Sequence, residues 1–82
     1  RTMYKLPSKA VVDGLRRRFP SGTRVELVRM DDEFSTLKPG DRGTVEFVDD
    51  CGTLFCSWDR GSRLGVVFGV DEVIKIEDAD DD

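Results

Sequence analysis

Beyond Pro20, glycine-containing turn signals divide the chain into short segments in which apolar and polar residues alternate. These signals are Pro39-Gly40, Asp49-Asp50-Cys51-Gly52 and Asp59-Arg60-Gly61-Ser62. In the intervening segments the period of two is typical of β-strands. Because 82 residues allow one domain with a thin core, the pattern predicts a single small domain that is mainly β.

The segment before Pro20 has a different period, which predicts an α-helix over residues 8–19. Ser8 is suited to cap the first turn, because its hydroxyl can accept a hydrogen bond from a free backbone N–H. Gly14 weakens the helix, so we expect it to need packing against the rest of the domain. The apolar stripe that would make this contact consists of Val11, Leu15 and Phe19, with Val12 beside them.

Five strands are predicted after the helix, over residues 24–30, 43–48, 53–59, 63–68 and 73–76, with a bulge near Leu27. A long loop, two tight hairpins and a 3₁₀ turn over residues 69–72 connect them. This order predicts a five-stranded SH3-like barrel preceded by one N-terminal α-helix. The main alternative, an open oligonucleotide-binding barrel, usually needs longer strands and a helix in the middle of the chain. The side chains expected inside are Val25, Val45, Phe47, Trp58, Leu64, Val66 and Ile74.

Charge is distributed unevenly along the chain, which has a net charge of −4. Residues 1–30 hold eight basic and two acidic residues, a net +6, and residues 31–82 hold five basic and fifteen acidic residues, a net −10. We interpret residues 1–7 as a flexible N-terminus or expression remnant, residues 8–77 as one helix-plus-barrel domain, and residues 78–82 as an acidic disordered tail.

The basic cluster Arg16, Arg17 and Arg18 has three interpretations. It is a solvated helix end favoured by the helix dipole, a phosphate-binding site, or a contact that docks on an acidic surface of the same or another copy. The acidic net charge argues against tight non-specific binding of nucleic acid.

No catalytic constellation is visible. The sequence has no histidine, so it lacks Ser-His and Cys-His nucleophile pairs. The acidic runs at residues 31–33 and 49–50 lie in predicted turns, where aspartate is favoured because it bonds its own backbone. Cys51 and Cys56 are expected on opposite faces of a hairpin as reduced thiols, and two cysteines cannot form a standard zinc site alone. We therefore expect no enzymatic activity, no cofactor, no metal and a cytoplasmic location.

Several short motifs occur together: RVELVRMDD at residues 24–32, LxPGxxGTV at 37–45, VDDxGT at 48–53, WDxGSxLG at 58–65 and GVD at 69–71. Their combination, over about residues 19–76, resembles the domain of unknown function 4314 family. The resemblance implies an origin in bacteriophages, plasmids or other mobile elements, and it implies no activity because the family has none assigned. Phe55 departs from the family pattern, which usually has a polar residue at that position.

Exposed aromatic side chains suggest a binding role. Phe55 is out of phase with Leu54 and Cys56 and should face solvent, while Phe34 and Leu37 lie in the long loop. Trp58 is expected in the core, with the alternative that its indole edge opens onto a peptide groove beside that loop.

We therefore expect an interaction module that binds a protein partner or a second copy of itself and does not engage a membrane. The partner-binding residues predicted are Phe34, Leu37, Phe55 and Trp58. The alternatives are an accessory nucleic-acid-binding protein that uses Arg16, Arg17 and Arg18, and an acidic anti-defence inhibitor of a host nucleic-acid enzyme.

Overall fold

A computed structural model of the chain describes residues 6–77 and shows one N-terminal helix followed by a five-stranded antiparallel sheet. The predicted acidic tail over residues 78–82, and residues 1–5 of the predicted N-terminal segment, lie outside the described residues. The elements are α1 (Lys9–Arg18), β1 (Arg24–Arg29), β2 (Arg42–Val48), β3 (Thr53–Trp58), β4 (Val66–Val67) and β5 (Glu72–Lys75). The strand order in the sheet is β4-β3-β2-β1-β5. The mainly β architecture with one N-terminal helix is therefore confirmed.

The helix α1 begins and ends close to where the sequence predicts. Ser8 is its N-cap, and the Oγ atom of Ser8 accepts a hydrogen bond of 3.2 Å from the N–H of Val11. Val12, rather than Val11, completes the buried stripe with Leu15 and Phe19, while Val11 is exposed. This buried stripe packs towards the sheet, which anchors a helix too short to be stable by itself.

The sheet is open, so the expected closure into an SH3-like barrel is not found. Within residues 6–77, β4 and β5 form the two edges and are not hydrogen-bonded to each other. The backbone of Val67, at the end of β4, is bonded within the turn that follows it. Its N–H donates to the Oδ2 atom of Asp71 (3.0 Å), and its carbonyl oxygen accepts the N–H groups of Val70 and Asp71. These backbone groups are committed to the turn and are unavailable to β5.

The core lies between α1 and one face of the sheet. Four predicted inward positions, Val25, Val45, Trp58 and Val66, are buried, while Leu64 is half-buried against the core. The buried cluster consists of Leu15, Phe19, Val25, Leu27, Leu37, Val45, Val48, Leu54, Cys56, Trp58 and Val66.

Two side chains predicted inside face solvent instead: Phe47 is 52% exposed and Ile74 is 46% exposed. In β2 the pairing register shifts between Val45 and Phe47, and this irregularity reverses the alternation, so Val48 is buried in place of Phe47. In β5, Ile74 lies opposite Glu26 on the solvent face. The bulge predicted near Leu27 is confirmed by the register shift between Leu27 and Arg29.

Candidate functional site

Phe47 and Phe55 form an aromatic pair on the solvent face of β2 and β3. Their ring centroids are 4.8 Å apart and their planes are inclined by 18°, so the rings are stacked. Phe55 lies on this face because it alternates with buried Leu54 and Cys56, as predicted, while the β2 bulge turns Phe47 outward. Alternation alone places Phe47 inside, so it is absent from the predicted binding residues. Its adjacent apolar neighbour, Val48, breaks strict alternation and was the available sign of a bulge.

The chain segment before β4 covers part of this pair. A Cβ atom built on Gly65 would lie 2.7 Å from Cγ2 of Thr53 and 3.5 Å from Cε1 of Phe55. Gly65 therefore packs closely over β3 on the side of Phe55, which leaves Phe55 partly buried. Phe47 is the more open member of the pair, and its ring is half exposed.

The cations on the solvent face of the sheet are each bonded to a carboxylate. Arg24 donates two hydrogen bonds to Asp59, of 2.8 Å to Oδ1 and 2.6 Å to Oδ2, and this pairing lowers the pKa of Asp59 below its ordinary value. Within residues 6–77, Arg42 also pairs with Glu26 (3.2 Å) and Arg63 with Glu46 (3.1 Å). This face therefore combines an apolar centre with charges that are locally neutralised.

The residues predicted to bind a partner do not form one surface. Phe34 is 87% exposed, but it lies in the loop that precedes Arg42, whereas Phe47 lies near the opposite end of β2. Leu37 is buried in the core, so its predicted exposure is wrong. Its loop folds inward instead of remaining in solvent.

Trp58 occupies the core position that the sequence favours. Its side chain is 2% exposed, and its indole Nε1–H donates a hydrogen bond of 2.9 Å to the carbonyl oxygen of Leu64. The indole is therefore satisfied internally, and the alternative of an indole edge open to a peptide groove is wrong.

The three consecutive arginines have different surroundings. The Arg16 guanidinium donates to the Val48 carbonyl oxygen (3.1 Å) and to Oδ1 of Asp50 (2.8 Å), which docks α1 on the hairpin between β2 and β3. The Arg18 guanidinium lies 4.8 Å from the centroid of the Phe19 ring. Arg17 is exposed. The interpretation that the arginine cluster docks on an acidic surface of the same copy therefore holds for Arg16 only.

Asp49 bonds to the backbone of its own turn, and the two thiols differ in exposure. Oδ1 of Asp49 accepts N–H groups of Cys51 and Thr53, both at 2.9 Å, which confirms the turn interpretation for Asp49. Cys51 is exposed and Cys56 is buried, and burial raises the pKa of Cys56 to about 12.

Across residues 6–77, no group of three or more histidine, cysteine, aspartate or glutamate side chains is placed to hold a metal ion. In the same part of the chain, the helix is too short and too polar to cross a bilayer.

The extent of the fold agrees with a family match. Residues 8–76 match the sequence profile of the family described as "Domain of unknown function (DUF4314)". The chain belongs to this family. The match begins at the helix cap of the DUF4314 domain and ends at Ile76, whose N–H bonds to the carbonyl oxygen of Arg24. No curated protein matches the chain significantly, and no solved structure does so either.

Proposed function

We propose that this DUF4314 domain is a non-enzymatic interaction module of phage or mobile-element origin that binds a protein partner through the aromatic pair. The observation that carries this proposal is the stacking of Phe47 and Phe55 on the solvent face, with Phe47 52% exposed. Aromatic rings held rigidly by one another offer a large apolar contact area with little loss of conformational entropy, and aromatic side chains often dominate binding energy at interfaces. The strand order supports a relation to SH3-like folds, which commonly serve as peptide-binding modules.

The charges around the pair favour a protein partner over a nucleic acid. Surfaces that bind single strands combine stacking aromatics with a positively charged groove that follows the phosphates. Here Arg24, Arg42 and Arg63 are each bonded to a carboxylate. Binding phosphates at these positions would require breaking those ion pairs, whereas a protein surface needs only an apolar patch with a polar rim.

Affinity capture from a bacterial host extract tests the proposal, with nucleic acid digested in one arm. Phe47→Ser should remove the captured protein and leave the melting temperature nearly unchanged, because this ring is half exposed. Phe55→Ser should also remove it, with some loss of stability. The matched control is Phe34→Ser, which deletes an even more exposed ring in the loop before β2 and should leave capture intact.

Sedimentation of the same variants checks whether the partner is a second copy. The proposal fails if neither Phe47→Ser nor Phe55→Ser changes any captured partner or the self-association of the domain. It also fails if the captured protein is lost after nuclease digestion, because nucleic acid would then bridge the two proteins.

A further inference from the structure

A groove separates α1 from the turn that connects β4 to β5. It comprises two cavities of about 300 Å³ and about 330 Å³ that share Leu15, Arg18 and Phe68 as lining residues. Each volume lies at the lower end of the range found for ligand pockets. The groove contains neither member of the aromatic pair, so it is a separate surface.

The floor of the groove is apolar. Leu15, Leu54 and Val66 line it with buried side chains, and Phe68 contributes a ring that is 41% exposed. Val11, on the solvent side of α1, extends the apolar surface along the helix. A large apolar side chain from a partner would remove this surface from water, which is favourable in proportion to the area buried.

Three arginines line the groove, and two of them, Arg17 and Arg18, differ from the other arginines in the described part of the chain. Of the eight arginines in residues 6–77, six have a carboxylate oxygen within 4 Å of a guanidinium nitrogen: Arg16, Arg24, Arg29, Arg42, Arg60 and Arg63. Among residues 6–77, Arg17 and Arg18 form no ion pair, and both line the groove. The groove thus joins an apolar floor to two guanidinium groups that have no carboxylate oxygen within 4 Å among residues 6–77.

We propose that this groove binds an acidic peptide segment of a partner protein, with a large apolar side chain on the floor and a carboxylate on Arg17 and Arg18. Guanidinium groups bind carboxylates through paired, charge-assisted hydrogen bonds, so the two arginines complement an acidic residue beside the apolar anchor. The opposite wall carries Glu72, which is half exposed and only 3.9 Å from Arg29. A peptide with one acidic residue can place its carboxylate on Arg17 and Arg18, away from Glu72, whereas a nucleic-acid strand carries a phosphate at every nucleotide and would bring some of them towards Glu72.

Selection from a random heptapeptide display library on the full chain tests this assignment. Selected peptides should be enriched in aspartate or glutamate next to leucine, isoleucine or phenylalanine. A fluorescently labelled copy of the most frequent peptide then serves as the probe in an anisotropy titration. The double variant Arg17→Gln/Arg18→Gln should weaken its binding about tenfold or more, as expected for the loss of charged hydrogen bonds.

Two control variants separate this site from the rest of the surface. Arg63→Gln removes one exposed arginine that lies outside the groove and should change the affinity by less than about twofold, because exposed rim charges contribute little. Phe68→Ser should weaken binding through the floor. Phe47→Ser should leave the peptide affinity unchanged. The groove and the aromatic pair are therefore tested separately, and either proposal can fail while the other holds.

Four results of the peptide experiments would overturn the proposal. They are selection of no peptide, selection of peptides without acidic enrichment, peptide affinity that is unaffected in the double arginine variant, and displacement of the peptide by an equal concentration of a single-stranded oligonucleotide. Self-association abolished by Arg17→Gln/Arg18→Gln would point to a second copy as the occupant and would also overturn it. Melting temperatures of the variants confirm that each remains folded.

Discussion

The indole ring of Trp58 lies against the backbone of Gly43, its direct partner on the neighbouring strand β2. A Cβ atom built on Gly43 would be 2.8 Å from Cε3 of Trp58 and 3.0 Å from the carbonyl oxygen of Ser57. Neither neighbour has room to move, because the ring is buried and the carbonyl belongs to the sheet. Glycine at this position therefore permits the strand pairing and the tryptophan packing together.

Gly43→Ala is expected to destabilise the domain by about 1–3 kcal/mol, as overpacking of a core typically does. Urea denaturation followed by tryptophan fluorescence measures the change. Gly14→Ala is the matched control, because its Cβ would lie 3.8 Å from Nη2 of Arg17, an ordinary contact in a helix interior. That change should stabilise the domain by up to about 1 kcal/mol. Equal effects of the two substitutions would contradict the close packing at Gly43.

Trp58→Ala is expected to lower the free energy of unfolding by about 3–5 kcal/mol, because it deletes a large buried ring. Trp58→Phe keeps much of the ring volume and removes the hydrogen bond to the Leu64 carbonyl, so its loss should be smaller, at about 1–3 kcal/mol. Thermal denaturation followed by circular dichroism separates the two. A Trp58→Ala variant that melts within a degree or two of the parent would refute the core placement.

The two thiols are expected to differ in reactivity. Cys51 is exposed, whereas burial raises the pKa of Cys56 to about 12, so at mildly alkaline pH the Cys56 side chain remains a protonated, inaccessible thiol. Mass spectrometry after brief iodoacetamide treatment should show one adduct, on Cys51, in the folded protein. The same treatment in denaturant should give two adducts. Rapid modification of Cys56 in the folded protein would show that β3 is less protected than the structure indicates.

Acid sensitivity should depend on Asp59. Its hydrogen bonds from Arg24 place its pKa in the folded protein below the unfolded value of about 4. The stabilising contribution is thus fully present above about pH 4 and is lost as the pH falls through the lower folded pKa. In thermal denaturation from pH 5 down to pH 2, Asp59→Asn should flatten the decline of the melting temperature.

Glu33→Gln provides the charge-matched control for this measurement, because Glu33 forms no ion pair within residues 6–77. Its melting temperature should decline with pH as steeply as that of the parent. Parallel profiles for the parent and Asp59→Asn would show that the ion pair with Arg24 does not contribute to the pH dependence.

Local patterns in the sequence predict the elements well where alternation is regular. In β3 the period of two places Leu54, Cys56 and Trp58 inside and Phe55 outside, and the structure agrees. The helix is similarly predictable, because its cap at Ser8 and its termination before Pro20 are local signals. These features depend only on residues that are close together along the chain.

Features that depend on pairing between distant strands were not predictable. The adjacent apolar residues Phe47 and Val48 indicate a bulge in β2 but do not show which of the two faces inward, because the pairing with β3 decides this, so Phe47 was assigned to the wrong face. The phase of Ile74 is likewise set by its pairing with Glu26, far away in sequence. The open edge follows from the side chain of Asp71, which accepts N–H groups from both Asp31 and Val67. The aromatic pair therefore became visible only in the structure.

The position of β5 at the edge beside β1 has a kinetic consequence. These strands come from opposite ends of the described chain, with Val25 opposite Lys75 and Leu27 opposite Val73. Their pairing must close a long loop before any contact between them is gained, whereas the β2–β3 hairpin closes a short one. We expect that hairpin to form early and β5 to join last. Until it does, the partly folded chain exposes the unpaired edge of β1, where another chain can add a strand and begin aggregation.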